Sequence, residues 1–362
     1  MLKLLAISRR IDWPLFLSVA VLSILGLLAI WSVDLSQDPG QLANFKKQLV
    51  FIIGGFVLAL FFTWFDYRAL RSASRALYIF GIALMGTVLI FGATIRGTRG
   101  WLEIGSSTFQ PVELLKVILI IVLAKYLSKK AHIIDLKVIL NLGILSGLYI
   151  GLVAAQPDFG SAFVLTSITI GMLLMTNVPR RYLVIGLVLV VIITLLGWGF
   201  VLKDYQKARV MSVLDPGADP FGRGYNIRQS IIAVGAGGIF GQGLGKGSQS
   251  QLRFLPEAQT DFIFAVLAEQ LGLFAVLLIL GAYSVMVWRV ALIFKRVSDG
   301  FALFLADGFF VVISVQVLLN VGMNLGVVPI VGLPLPFVSL GGSALLSNFL
   351  MLGIVQSIKV RE

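Results

Sequence analysis

The 362-residue chain has no cysteine and a single histidine, and only 13% of its residues are charged. Without cysteine there are no disulfides and no thiolate metal sites. One imidazole, His132 beside Lys129 and Lys130, cannot build a zinc cluster or a histidine proton relay. The shortage of charge excludes a water-covered globule, because soluble domains carry about 25% charged residues. Acids are scarcest, 17 against 29 Lys and Arg, giving a net charge of +12. In a soluble chain that excess would suggest nucleic acid. Here the question is whether it lies on one side of a membrane.

What the chain does have is apolar length: 58% hydrophobic residues and a mean hydropathy of +0.99. A membrane span needs about 20 apolar residues. Such runs fall near residues 12–33, 46–65, 74–95, 111–127, 136–155, 161–178, 182–202, 262–293, 299–326 and 340–358. The expected fold is an all-α integral membrane protein with about ten transmembrane helices, a single polytopic domain over residues 1–362. The first run is preceded by Lys3, Arg9 and Arg10 but has no small-residue cleavage site, so it reads as a retained helix rather than a removed signal.

With the N-terminus inside, 17 of the Lys and Arg residues fall in inner segments, 11 in outer ones and Lys116 inside a span. Short inner loops are all basic, which sets the orientation and puts both termini in the cytoplasm. One outer segment breaks the pattern. Residues 203–261 form a long extracytoplasmic loop, rich in glycine and carrying seven of those cations. Loops of that length are usually functional or disordered. Its apolar stretch Ile231 to Val234 suggests that it folds back onto the membrane surface.

Within that loop, Gly235–Gly247 invites a phosphate-loop reading and fails it. Lys246 is followed by Gly247 where Ser or Thr is required, and the opening position is Phe240. A tightly turning loop packed on helices is the plainer reading, and a backbone cradle for a lipid phosphate is the alternative.

Four other places hold chemistry-bearing residues. Glu113 and Lys116, three apart inside the fourth span, share a helix face and can pair. They form either a structural ion pair or part of a polar cavity, and ionisable residues inside a membrane usually mark the latter. Asp158, in Gln156-Pro-Asp-Phe-Gly160, suits a turn with a helix N-cap. Trp101 is an interfacial aromatic or a platform for a sugar ring. Asp261 opens the eighth span at the end of the basic loop, close to Arg253 and Glu257 in sequence. An N-cap explains its residue type but not that setting. Glu269 and Asp307 are further acids near or within spans.

These residues also carry a resemblance. The runs Phe254-Leu-Pro-Glu-Ala-Gln-Thr-Asp-Phe-Ile-Phe-Ala-Val-Leu-Ala-Glu269, Phe109-Gln-Pro-Val-Glu-Leu-Leu-Lys116 and Pro334-Leu-Pro-Phe-Val-Ser-Leu-Gly-Gly-Ser343 resemble signatures of the SEDS family (shape, elongation, division and sporulation). Gln156–Gly160 and Arg209-Val-Met-Ser-Val-Leu-Asp-Pro216 fit as well. The resemblance covers essentially the whole chain in order. Short termini and Gly97-Thr-Arg-Gly-Trp-Leu102 look more like the elongation member than the division member. It departs at Gln259, where the family often has His, and at Leu340, where it often has Tyr.

The resemblance implies a peptidoglycan glycosyltransferase in the bacterial cytoplasmic membrane, with its active site on the outer face. Its substrate would be lipid II, an undecaprenyl-pyrophosphate disaccharide-pentapeptide. It would work with the elongation machinery beside a class B penicillin-binding protein, and without nucleic acid. The chemistry needs a base for the acceptor hydroxyl, cations for the departing pyrophosphate and a groove for lipid tails. Asp261 is the expected base. Arg209 and Arg223 are the expected pyrophosphate cations. Glu113, Lys116, Asp158, Trp101 and Glu257 are expected to line or order the substrate cavity. No cofactor is implied, and a divalent cation on the pyrophosphate is left open. A lipid II flippase would also need a polar cavity, but flippases use repeat symmetry that the chain does not display. A scaffold without chemistry would leave the Glu–Lys pair and the basic loop without a purpose.

Overall fold

The computed structural model describes residues 10–37, 42–95, 97–105, 107–196 and 223–362, with the isolated positions 199 and 211. The described chain is a helical bundle with one small sheet. Its order is α1 (Trp13–Gln37), α2 (Ala43–Trp64), α3 (Arg68–Phe91), strands β1 (Ala93–Ile95), β2 (Thr98–Ile104) and β3 (Ser107–Phe109), then α4 (Pro111–Lys130), α5 (Leu136–Ala154), α6 (Phe159–Leu174) and α7 (Arg180–Leu196). It continues with α8 (Arg223–Gly237), the short α9 (Ser248–Gln251), α10 (Ile263–Phe294), α11 (Gly300–Asn324) and α12 (Gly342–Arg361).

Among the described residues, seven helices, α1, α2, α3, α5, α10, α11 and α12, are long and apolar enough to cross a membrane. The other three expected spans coincide with α4, α6 and α7, which fall outside that group. Charge accounts for α4, which carries Glu113, Lys116 and Lys125. Length accounts for α6, whose 16 residues rise only about 24 Å.

Helix α4 is the centre of the bundle. Its buried residues cover every face, from Pro111 through Leu127, and include the ionisable pair Glu113 and Lys116. It packs against α3, α6, α11 and α12. Small residues set the closest approaches. A Cβ on Gly308 would come 2.4 Å from Ile120, and one on Gly353 of α12 would come 2.6 Å from the Ala59 carbonyl of α2. Close backbone approach at glycine is how helices pack where lipid offers no hydrophobic drive.

The structure adds three features to the expected helices. First, the fold is not purely helical. The third apolar run ends at Phe91, and the Gly97 and Gly105 turns fold residues 93–109 into an antiparallel sheet of order β1-β2-β3. Second, the eighth span is broken. Gly272 has φ 67° and ψ −158° inside α10, a backbone state open to glycine. Third, the described part of the long loop is folded. Helix α8 buries Ile227, Ser230 and Ala233, and it packs against α10 and α11.

The glycine stretch explains how α10 survives its break. The Gln242 and Gly243 N–H groups donate to the Glu269 and Gln270 carbonyls at 2.9 Å, and Leu273 N–H donates to the Gly238 carbonyl at 3.0 Å. Backbone groups freed at Gly272 are thus satisfied by the loop rather than left bare in the bundle. The approach is too close for side chains, since a Cβ on Gly237 would sit 1.9 Å from the Ala268 oxygen. The run is therefore a staple on α10. Glu269 has a structural task too. Its buried carboxylate accepts the Gln249 and Ser250 N–H groups at 2.7 and 3.0 Å, which caps α9.

Candidate active site

The helix order brings the starts of α2, α4, α6, α10 and α12 to one end of the bundle, together with the sheet. A cavity of about 570 Å³ opens there. Asp261, Glu257, Asp158 and Trp101 all line it, although they lie up to 160 residues apart in the chain. Lys47, Asn44 and Gln110 line it as well. A second cavity of about 410 Å³ shares Asn44, Glu257, Thr260 and Leu340 with the first, so the turn before α10 is a wall between the two.

Asp261 is half-buried in this wall. Its carboxylate lies against Gly332, where a Cβ would approach Oδ2 to 3.8 Å. The expected N-cap role moves by one residue, because α10 begins at Ile263 and Phe262 occupies the cap position. The backbone around Asp261 is fixed by buried side chains. Asn320 and Asn324 donate to the Asp261 carbonyl at 3.1 and 3.0 Å, and the Ser339 hydroxyl donates to the Thr260 carbonyl at 2.6 Å. Glu257 stands at φ 58°, a left-handed state uncommon for a residue with a side chain. Its carboxylate accepts the Thr260 hydroxyl at 3.1 Å.

Asp158 does cap a helix. It accepts the Ser161 N–H at 3.0 Å and the Ser161 hydroxyl at 2.8 Å, and the Gln110 side-chain amide reaches it at 3.4 Å. It both starts α6 and faces the cavity. Trp101 is on β2, paired with Ala93, and is half-buried in the cavity wall. Arg99, two residues earlier, donates to the Ile90 and Gly92 carbonyls and closes the C-terminus of α3.

Glu113 and Lys116 do not line the cavity. They form an ion pair of 2.8 Å with side chains 3% and 1% exposed. The pair lies one helical turn beyond Gln110, which does line it. Arg209 lies outside the described residues, and Arg223 is the first residue of α8. Asp158, Glu257 and Asp261 share the cavity without gathering, and among the described residues no three His, Cys, Asp or Glu side chains group to hold a metal ion.

Sequence reasoning passed over Lys47, Asn320, Asn324 and Ser339. The signals were present: Lys46 and Lys47 form a basic pair at the start of the second apolar run, and Asn320 and Asn324 are two amides at i, i+4 in an apolar run.

The chain is similar over residues 12–362 to the FtsW/RodA/SpoVE family of cell cycle proteins. It is 38% identical over 352 residues to the peptidoglycan glycosyltransferase MrdB of Escherichia coli K12, covering 96% of this chain and 93% of the relative. Among solved structures, it superimposes with a TM-score of 0.84 and 31% identity on a chain of a peptidoglycan synthase complex that coordinates polymerization and crosslinking, covering 96% and 97% of the two chains. It also matches the rod shape determining protein RodA of Thermus thermophilus, with a TM-score of 0.72, 28% identity and 96% of each chain covered.

Proposed function

The chain belongs to the FtsW/RodA/SpoVE family and is a multi-pass membrane peptidoglycan glycosyltransferase, and from that premise we propose that it polymerises lipid II at the cavity beside Asp261. The observation that carries this reading is the meeting of a carboxylate, an aromatic and a cation in one polar and apolar cavity at a single end of the bundle. Asp261 takes the proton from the acceptor sugar hydroxyl as the new glycosidic bond forms and the pyrophosphate leaves. Lys47 neutralises the pyrophosphate as it departs. Arg209 and Arg223 remain the proposed loop cations for the same group. Trp101 and Asp158 bound the sugar, and Glu257 shapes the turn that holds Asp261. Glu113 and Lys116 order the polar floor one turn below Gln110.

Ten spans, both termini in the cytoplasm and the cavity on the outer face complete the proposal. A class B penicillin-binding protein is the proposed crosslinking partner, in keeping with the synthase complex that this fold resembles. The function is tested with purified protein and lipid II, with products separated on a gel. A ladder of glycan strands is expected. Absence of polymer, together with movement of lipid II between vesicle leaflets, would mark a flippase instead.

The orientation has its own test, and the cysteine-free chain gives it a clean background. Glu103 is exposed on β2 at the cavity end of the bundle, and His132 is exposed at the opposite end. In intact cells, an impermeant thiol reagent is expected to label Glu103→Cys and leave His132→Cys untouched. The reverse pattern would invert the topology.

A further inference from the structure

Behind the turn that carries Asp261 lies a buried polar ring with no part in the chemistry so far. Asp34, near the end of α1 and 5% exposed, is its hub. Its Oδ1 accepts from the Gln259 side-chain amide at 2.7 Å and from the Asn44 amide at 3.2 Å. Its Oδ2 accepts the Phe45 N–H at 2.8 Å. Asn44 also donates to Gln259 Oε1 at 2.7 Å, which closes the ring. The Gln259 carbonyl, in turn, accepts the Leu340 N–H at 2.9 Å.

We infer that Asp34 is a positioning residue for Asp261, acting through Gln259. Gln259 is two residues from Asp261 in a turn with little regular structure of its own. The carbonyls of residues 260 and 261 are held from one side by Ser339, Asn320 and Asn324. Gln259 is held from the other side by Asp34 and Asn44. The turn is therefore clamped between α11 with the segment after it and the α1–α2 corner, and the clamp fixes where the Asp261 carboxylate stands in the cavity. A buried network with every member satisfied specifies one geometry, whereas a half-satisfied one does not. A reacting group displaced by about 1 Å loses up to about 10²-fold in rate. The inference rests on the reading of Asp261 as the base.

A plainer role for Asp34 is to cap α2 through Phe45. Asp34→Asn separates the two. Its single oxygen can still accept from Phe45, but its NH₂ then meets the NH₂ of Gln259, donor against donor. The expected result is a kcat for lipid II polymerisation lowered about tenfold or more, within the loss that such a displacement causes. KM is expected to change little, and thermal unfolding in detergent to stay near wild type. The double variant Asp34→Asn, Gln259→Glu restores a donor facing an acceptor between these two residues and leaves Asn44 donating to residue 259, and it is expected to recover part of the lost kcat. An unchanged kcat in folded Asp34→Asn overturns the inference. So does a loss that tracks unfolding, or one that the folded double variant fails to recover. Asp261→Asn is measured alongside. If it is inactive while Asp34→Asn is normal, the positioning role falls and the base stands. If it is fully active, the base falls and takes the positioning role with it.

Discussion

Asp261→Asn is expected to abolish detectable glycan synthesis while leaving a folded protein that still binds lipid II. General-base contributions are typically about 10²–10⁴-fold, and a loss in that range is expected here. The fold should survive because the substitution leaves the backbone contacts of this turn in place. Asn320, Asn324 and Ser339 hold the carbonyls of residues 260 and 261, and Asn leaves those groups in place. Asn also keeps nearly the same shape as Asp, so the cavity keeps its volume. What disappears is the charge and the proton acceptor.

Glu257→Gln, four residues away on the same cavity wall, is the comparison. It is expected to do less harm, since Glu257 bonds within its own turn to Thr260. Gel analysis of lipid II products and unfolding in detergent measure both variants. Polymerisation at the normal rate by Asp261→Asn would move the base elsewhere in the cavity.

Much of this site was legible in the sequence, and the reasons differ by residue. The helices were legible because apolar runs of about 20 residues have few other uses. Asp261, Asp158 and Trp101 stood out because polar or aromatic residues at the ends of apolar runs need a reason to be there. Their meeting in one cavity was not legible, since it follows from how α2, α4, α6, α10 and α12 begin at the same end. The sheet was hidden because β1 continues the apolar run of α3 with only Gly92 between them. The break at Gly272 was hidden because its cause lies some 30 residues upstream, in the loop bonded to it. Asn320 and Asn324 read as two polar residues in a span until their partner, the Asp261 carbonyl, was in view.

Glu113 and Lys116 carry the second large effect, and it falls first on stability. Both side chains are almost fully buried, and their contact is 2.8 Å. Removing one partner leaves a buried charge without compensation, which costs about 3–5 kcal/mol. That is a large part of the about 5–15 kcal/mol that holds a typical protein together. Glu113→Gln and Lys116→Met are each expected to lower the unfolding temperature sharply. Exchanging the two residues restores a pair and should recover most of that loss. Recovery should fall short of complete because Glu113 is in the first turn of α4, where the helix dipole favours an anion and opposes a lysine. Activity then separates the two roles. The pair sits one turn beyond Gln110, which lines the cavity and bonds to Asp158. If the pair orders that polar floor, reversing its sign changes the field beneath the substrate. The exchanged protein is then expected to fold, bind its lipid and polymerise at well under a tenth of the normal rate, a loss of more than about 1.4 kcal/mol in transition-state stabilisation. An exchanged protein that unfolds near the wild-type temperature and polymerises normally would make the pair a neutralised ion pair in the bundle core and nothing more.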